Sequence, residues 1–244
     1  MPITRIGKFL ESEDLGKTHS LGIESAQLKA CLRAVKRRNI RGIFGSPVFG
    51  FKEDTLDFIR DIPEVTQVWF WAIKLDNIDG LYALENLDYF GVSEKRPRID
   101  FSRFPQLEIA VWHPVRGDQG IERREKLKRL DIWRYKDKQK SYSALQLPEN
   151  IQHLDLIWCN PDSLQALPTM PALQELQIHY CRNLNTLDPV LQVAPNLKRL
   201  VVTRCANIGN VDSLLVRDWE RLYINVRGKT LADRPGRPGR STTS

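Results

Sequence analysis

Aliphatic residues recur along this chain in a short, fixed phrase. Four segments align without gaps: Leu127-Lys-Arg-Leu130-Asp-Ile132, Ile151-Gln-His-Leu154-Asp-Leu156, Leu173-Gln-Glu-Leu176-Gln-Ile178 and Leu197-Lys-Arg-Leu200-Val-Val202. The second and third aliphatics of each are separated by one residue, the period of a short strand with one buried face. Three of the copies run on to Cys159, Cys181 and Cys205, and the fourth to Tyr135 at the same position. Looser copies begin at Ile40, Val65, Leu87, Leu107 and Trp219, so that the nine starting points lie 20 to 25 residues apart.

A unit this short cannot bury its apolar face alone. Stacking the units side by side as a parallel sheet buries one continuous core. The pattern therefore predicts about nine strands over residues 40–227, with the chain returning between them. Asp54–Arg60 and Asp188–Val193 look like helical returns, whereas Leu147-Pro148 and Leu167-Pro168 mark irregular ones. Arg116–Lys126 is charged and predicts an exposed loop. The first copy departs most, with Gly45 in place of its third aliphatic and Pro47 close behind.

The ends differ. Residues 1–39 form an N-terminal segment in which Ala26, Leu28, Cys31, Leu32 and Val35 fall at helical spacing. They predict an amphipathic helix over about 23–38 that caps the first strand. Residues 1–20 carry no pattern. Residues 228–244, with an Arg-Pro-Gly run, predict a disordered basic tail.

The phrase L-x-x-L-x-L-x-x-Cys resembles the leucine-rich-repeat family in its compact, single-domain form with irregular repeats. The resemblance covers about residues 40–227 and is most specific from Leu127 to Cys205. It implies an α/β solenoid: a horseshoe with a concave parallel β-sheet, a mixed helical and irregular convex side, and an N-terminal capping helix. It also implies that the shared cysteine position is a small buried group at the turn out of each strand.

If the aliphatics point inward, their neighbours point outward over the sheet. These are positions three, five, seven and in some copies eight, counted from the first aliphatic. The outward set with chemistry suited to a partner is Trp69, Trp71, Tyr89, His113, Arg129, Asp131, Trp133, Arg134, His153, Asp155, Trp158, Glu175, His179, Tyr180, Arg199, Arg204, Arg221 and Tyr223. Trp, Tyr and Arg are the residue types enriched at binding hot spots. Trp112 and Trp219 fall instead on core positions. The simpler alternatives are that Trp69 and Trp71 lie under the N-terminal cap, and that the charges only pair across strands.

Composition narrows the choice. The chain of 244 residues has a net charge of +7. Residues 1–41 hold nine Lys/Arg against four Asp/Glu and residues 227–244 hold five against one, so the repeat region between them is close to neutral. A nucleic-acid reader more often carries its basic stripe on the folded face. No stretch approaches the roughly 20 apolar residues of a membrane helix, and no signal-like apolar run follows the first basic residues. The expectation is a cytoplasmic protein, monomeric when free, without a membrane partner. Phosphate-loop, dinucleotide, zinc-protease and nucleophile-elbow motifs are all missing. Asp131 and Asp155 on neighbouring strands would stand roughly 5 Å apart, a spacing that any such repeat supplies. The expectation is therefore no catalytic residues, no metal site and no cofactor.

The function this predicts is stoichiometric binding of a protein on the concave face. Its sharpest form, implied by the resemblance, is a cognate inhibitor or immunity protein that neutralises a toxin or enzyme; a recognition subunit of a larger complex is another form. The alternative is a nucleic-acid-associated protein whose basic ends bind phosphates weakly and without sequence preference.

Overall fold

The computed structural model describes residues 3–13 and 17–235. The described chain forms two compact units that divide between Lys128 and Arg129. Each is built on a mostly parallel sheet whose strands follow chain order, with few helices. Among the described residues no helix is long and apolar enough to cross a membrane.

The first unit opens with an antiparallel hairpin, β1 (Thr4–Ile6) and β2 (Phe9–Ser12), and β2 pairs antiparallel with β3 (Ser20–Gly22). From there pairing is parallel: β3 with β4 (Gly42–Gly45), then β5 (Gln67–Phe70), β6 (Tyr89–Val92) and β7 (Ile109–Trp112). The second unit holds β8 (Arg129–Trp133), β9 (His153–Ile157), β10 (Glu175–His179), β11 (Arg199–Cys205) and β12 (Arg221–Val226), all parallel. It closes with β13 (Lys229–Pro235), antiparallel to β12.

Strands β4 to β12 each begin two residues after the first aliphatic of a copy, so all nine expected strands are present. The register also follows the phrase. Leu130, Leu154, Leu176, Leu200 and Leu222 are direct neighbours, as are Ile132, Leu156, Ile178, Val202 and Ile224. All ten are fully buried. In the first unit Ile43, Val68, Phe90 and Ala110 form the corresponding row. The atypical first copy is a regular strand because Gly45 leaves room for aromatic bulk: a Cβ there would come within 2.6 Å of the Phe70 ring.

Most returns are short 3₁₀ turns, as at Asp57–Asp61, Asp79–Ala83, Phe101–Arg103 and Ile121–Arg123. The second unit adds two one-turn helices, Val190–Val193 and Asp212–Leu215. Cys159, Cys181 and Cys205 are buried free thiols that approach the carbonyl oxygens of Ile132, Leu156 and Ile178 at 3.6, 3.5 and 3.9 Å. Each donates weakly to the preceding strand and packs as a small apolar group. Asn160, Asn183 and Asn207 tie the following turns together through side-chain N–H to backbone carbonyl bonds of 2.8–3.0 Å.

Two expectations need correction. The predicted helix exists as α1 (Leu28–Arg38), burying Cys31, Leu32, Ala34 and Val35, with Asn39 ending it in the left-handed conformation at φ 51°. It is the connection between parallel strands β3 and β4, not a cap on the first strand. The end of the sheet is formed by β1 and β2, in a stretch whose apolar residues are too few to show a period. Residues 229–235 of the predicted disordered tail form β13. Arg227 and Gly228, at φ 51° and 80°, make the two-residue turn with positive φ at both positions that suits a hairpin. The rest of that tail, 236–244, lies outside the described residues. The 116–126 segment is largely exposed, as expected, and Asp118 pins it. Its buried carboxylate accepts from Arg96, the Trp112 indole N–H, and the Ile99 and Val115 backbone N–H, all within 3.0 Å.

Candidate functional site

The predicted outward residues fall into two groups, one in each unit. In the first, Trp69 and Trp71 sit 5.6 Å apart, centroid to centroid, and Trp71 stacks on Phe44 at 6.2 Å. Leu10 and Ile3 from the N-terminal hairpin pack on the same cluster. Both indoles are only partly exposed, and Tyr89, 6.0 Å from Trp69, is buried. These aromatics form a small second core on the outward side of the sheet, under the N-terminal strands. His113 faces Glu94, Nδ1 to carboxylate 3.2 Å. The four expected partner residues of this unit are thus largely engaged within the chain.

In the second unit outward residues at positions three, five and seven form a polar network. Asp131 and Asp155 are direct neighbours in register and both are buried. Arg129 donates from Nε to Asp131 at 2.9 Å and from Nη2 to Asp155 at 3.3 Å. His153 Nε2 lies 2.8 Å from Asp155, and its Nδ1 lies 3.5 Å from Glu175. Glu175 also pairs with Arg199 at 3.3 Å and accepts from Gln177 at 2.7 Å. His179 bridges Gln177 at 3.0 Å and the Thr203 hydroxyl at 2.7 Å. The cross-strand pairing expected as the simpler alternative accounts for most of these charges.

Burial sets the protonation behaviour of the network. Loss of water raises the Asp131 pKa; Arg129 opposes the shift and the neighbouring Asp155 charge adds to it. For His153, burial alone would lower the pKa, but the hydrogen bond and charge of Asp155 outweigh it and the net shift is upward. For His179 burial comes first and lowers the pKa, the charge of Asp155 opposes it more weakly, and the net shift is downward. Asp131, His153 and Asp155 bring ligand-type atoms within 4.8 Å of one another, so they are the residues here that could hold a metal. The Arg129 guanidinium already bonds both carboxylates and supplies the positive charge they need.

The outermost row is different. At position eight, Arg134, Trp158, Tyr180 and Arg204 all have left-handed backbone, with φ of 55–59°. The N–H of each of the first three donates to the carbonyl of the next strand, Ile157, His179 and Thr203, at 2.8–3.1 Å. The kink lets two consecutive residues, seven and eight, point outward before position nine turns back into the core. Side chains stack along the row: Arg134 lies 5.2 Å from the Trp158 ring, Trp158 lies 5.0 Å from Tyr180, and Arg204 lies 5.1 Å from Tyr180. Trp133 meets Trp158 edge-on at 5.6 Å. Trp158 is 39% exposed, the most open aromatic of the row, and both arginines are exposed.

Arg221 and Tyr223 lie on β12 and stack on each other at 5.1 Å, while Arg221 also pairs with Asp233 of β13 at 2.7 Å. They belong to the β12–β13 hairpin and not to the stacked row. The sequence pattern did not disclose the left-handed residues, because Arg, Trp and Tyr carry no local signal for positive φ.

No protein-family model, no curated protein and no solved structure matches this chain.

Proposed function

We propose that the chain is a leucine-rich-repeat solenoid that binds a protein partner stoichiometrically through the outward faces of its strands and catalyses no reaction. One observation carries this reading: large side chains occupy four successive left-handed positions. A non-glycine residue there costs about 1–2 kcal/mol, and glycine would avoid that cost. The stacking contacts along the row return about 0.5–1.5 kcal/mol each. At mid-range the four contacts, Trp133 on Trp158 included, return about 4 kcal/mol against about 6 kcal/mol of strain, which leaves a net cost to the fold. Strain retained where a cheaper residue would serve points to function, and exposed Trp, Tyr and Arg are what a binding hot spot uses.

The sharpest form of the proposal is an inhibitor or immunity protein for a toxin or enzyme; a recognition subunit is the broader one. Affinity capture from the native host, read by mass spectrometry, tests both. The wild-type chain should recover a partner in about 1:1 amount, and a Trp133→Ala, Trp158→Ala variant that melts normally should not. Equal recovery by the two proteins rejects the face.

A further inference from the structure

Two strips of opposite charge run side by side along the returns of the first unit. One is the solvent face of α1, where Lys29, Arg33, Lys36 and Arg37 are all exposed. Their spacing of four, seven and eight residues from Lys29 puts them on a single stripe of the helix. The other strip is the next return, residues 52–64. Its Asp54, Asp61 and Glu64 are exposed and Glu53 is partly so. The two strips run in the same direction. Ser25, just ahead of α1, donates its N–H to the Gly50 carbonyl at 3.0 Å and accepts from the Lys52 N–H at 2.7 Å. At the far end Lys36, Asn39 and Glu64 line one groove.

Among the described residues, none of these eight side chains makes a hydrogen bond or an ion pair. The other charges of the two strips are nearly all committed: Arg38 to Glu11, and Arg60 to Asp57. Lys52 alone interrupts the acidic strip, at its first residue. Elsewhere the chain pairs opposite charges across neighbouring elements, as Arg129 does with Asp131 and Asp155. Here opposite strips lie alongside and stay apart. The helix dipole favours Lys36 and Arg37 in the last turn of α1. It opposes Lys29 in the first, where no acidic residue stands.

We infer that the two strips form a self-complementary interface that joins a second copy of this chain. A two-fold axis parallel to the strips lays each on its opposite in the other copy. An axis across them would lay like on like, which is repulsive. Charge therefore selects one closed dimer. Direction along the strips is kept, so Lys29 meets Glu53 and Asp54 of the second copy, and Arg37 meets its Asp61 and Glu64. Each contact occurs twice. A nucleic acid fits only the helix, because the acidic strip repels its phosphates. A bilayer fits worse: Cys31, Leu32, Ala34 and Val35 of α1 are buried within the chain, so the helix has no apolar face to insert. The inference is independent of the protein-binding reading above, and it puts a salt-sensitive dimer in place of the monomer expected from the sequence.

Sedimentation velocity of the full chain, from micromolar to submillimolar concentration, tests it. The wild type should dimerise as concentration rises. Raising salt from about 0.1 M to about 1 M shortens the screening length from about 10 Å to about 3 Å and should weaken the dimer at least about tenfold. Two charge-reversed variants are compared, Lys29→Glu, Arg37→Glu and Asp54→Lys, Asp61→Lys, each first shown to melt within a few degrees of wild type. Each alone should sediment as a monomer. Their equimolar mixture should restore the dimer, because the mixed pair keeps one native contact and rebuilds the other with its signs exchanged. If a reversal disturbs folding, Lys29→Gln, Arg37→Gln and Asp54→Asn, Asp61→Asn test the loss alone. A wild type that stays monomeric throughout overturns the inference. So does a dimer indifferent to both variants, which would lie on another surface, and so does a mixture of the reversed variants that stays monomeric. Binding of a labelled oligothymidylate by a monomeric wild type, lost on Lys29→Glu, Arg37→Glu, reassigns α1 to nucleic acid.

Discussion

Replacing Arg129 with Met isolates the energetics of the buried aspartate pair. The change removes the guanidinium but keeps most of the apolar stem. Asp131 and Asp155 then face each other across adjacent strands without their shared cation. Two such charges about 5 Å apart repel by about 3 kcal/mol at an effective dielectric of 20. Arg129 is 45% exposed in its side chain, so water screens part of this. We expect a loss of about 2 kcal/mol at pH 7. The loss has a ceiling, because Asp131 can escape repulsion by taking a proton. From an ordinary aspartate value of about 3.9, that costs about 4 kcal/mol at pH 7 and less than about 1 kcal/mol at pH 4.5. The sign follows from the raised Asp131 pKa. A group raised in the folded state stabilises the fold below its unfolded value and loses that contribution as pH rises through its folded value. The Arg129→Met penalty should thus be largest at pH 7 and shrink to under about 1 kcal/mol at pH 4.5. Urea unfolding of wild type and variant at the two pH values measures it, and the difference between them cancels the other titrating groups. An equal loss at both values, or no loss at pH 7, refutes the account.

Other outcomes follow from the same coordinates. Leu156→Ala removes a fully buried side chain flanked in register by Ile132 and Ile178, and should cost about 2–5 kcal/mol in urea unfolding because β-sheet neighbours on both sides resist collapse into the cavity. In an NMR titration the His153 imidazole should have its midpoint above about 6.5 and His179 below it; Asp155→Asn should bring His153 down, and an unmoved midpoint would mean that Asp155 is not the cause. His153 therefore adds stability below about pH 6.5 that fades as pH rises through its folded value. Arg204→Gly trades left-handed strain against unfolded-chain entropy and one stacking contact, so its stability should stay within about 1 kcal/mol of wild type while partner binding drops. A loss above about 3 kcal/mol would show that the row is structural.

The hydrophobic phrase made nine strands, their order and their phase legible, because a two-residue period tied to a repeat of 20 to 25 residues has few other solutions. Leu130 and Leu154 inward with Arg129 and Asp155 near the outward side needed no structure to predict. The ends were not legible. Strands β1 to β3 are three or four residues long, and β13 draws its pairing from a turn written Arg-Gly instead of Asn-Gly. The Asp118 hub was hidden for another reason: burial of Arg96 and Asp118 depends on partners 22 residues apart, which no local pattern encodes. Within the candidate site, residue identities were readable but their commitments were not. The sequence placed Trp69, Trp71 and Tyr89 on the same footing as Trp133 and Trp158. Only the fold separates the first group, packed beneath Leu10, from Trp158, which is stacked yet exposed, with Trp133 partly buried against it.

The hairpin at the C-terminal end also governs how this chain can be truncated. β12 is a parallel strand with Leu222 and Ile224 in the core, and β13 covers its outer hydrogen-bonding edge. A parallel strand stripped of that cover is a template for another chain's backbone, the usual start of polymerisation. Trimming the basic tail at residue 228 would therefore risk fibres or soluble aggregates, and any change in polyanion affinity could be a by-product of that association. A cut after Pro235 leaves the edge sealed, and so separates the contribution of the terminal arginines from the integrity of the sheet.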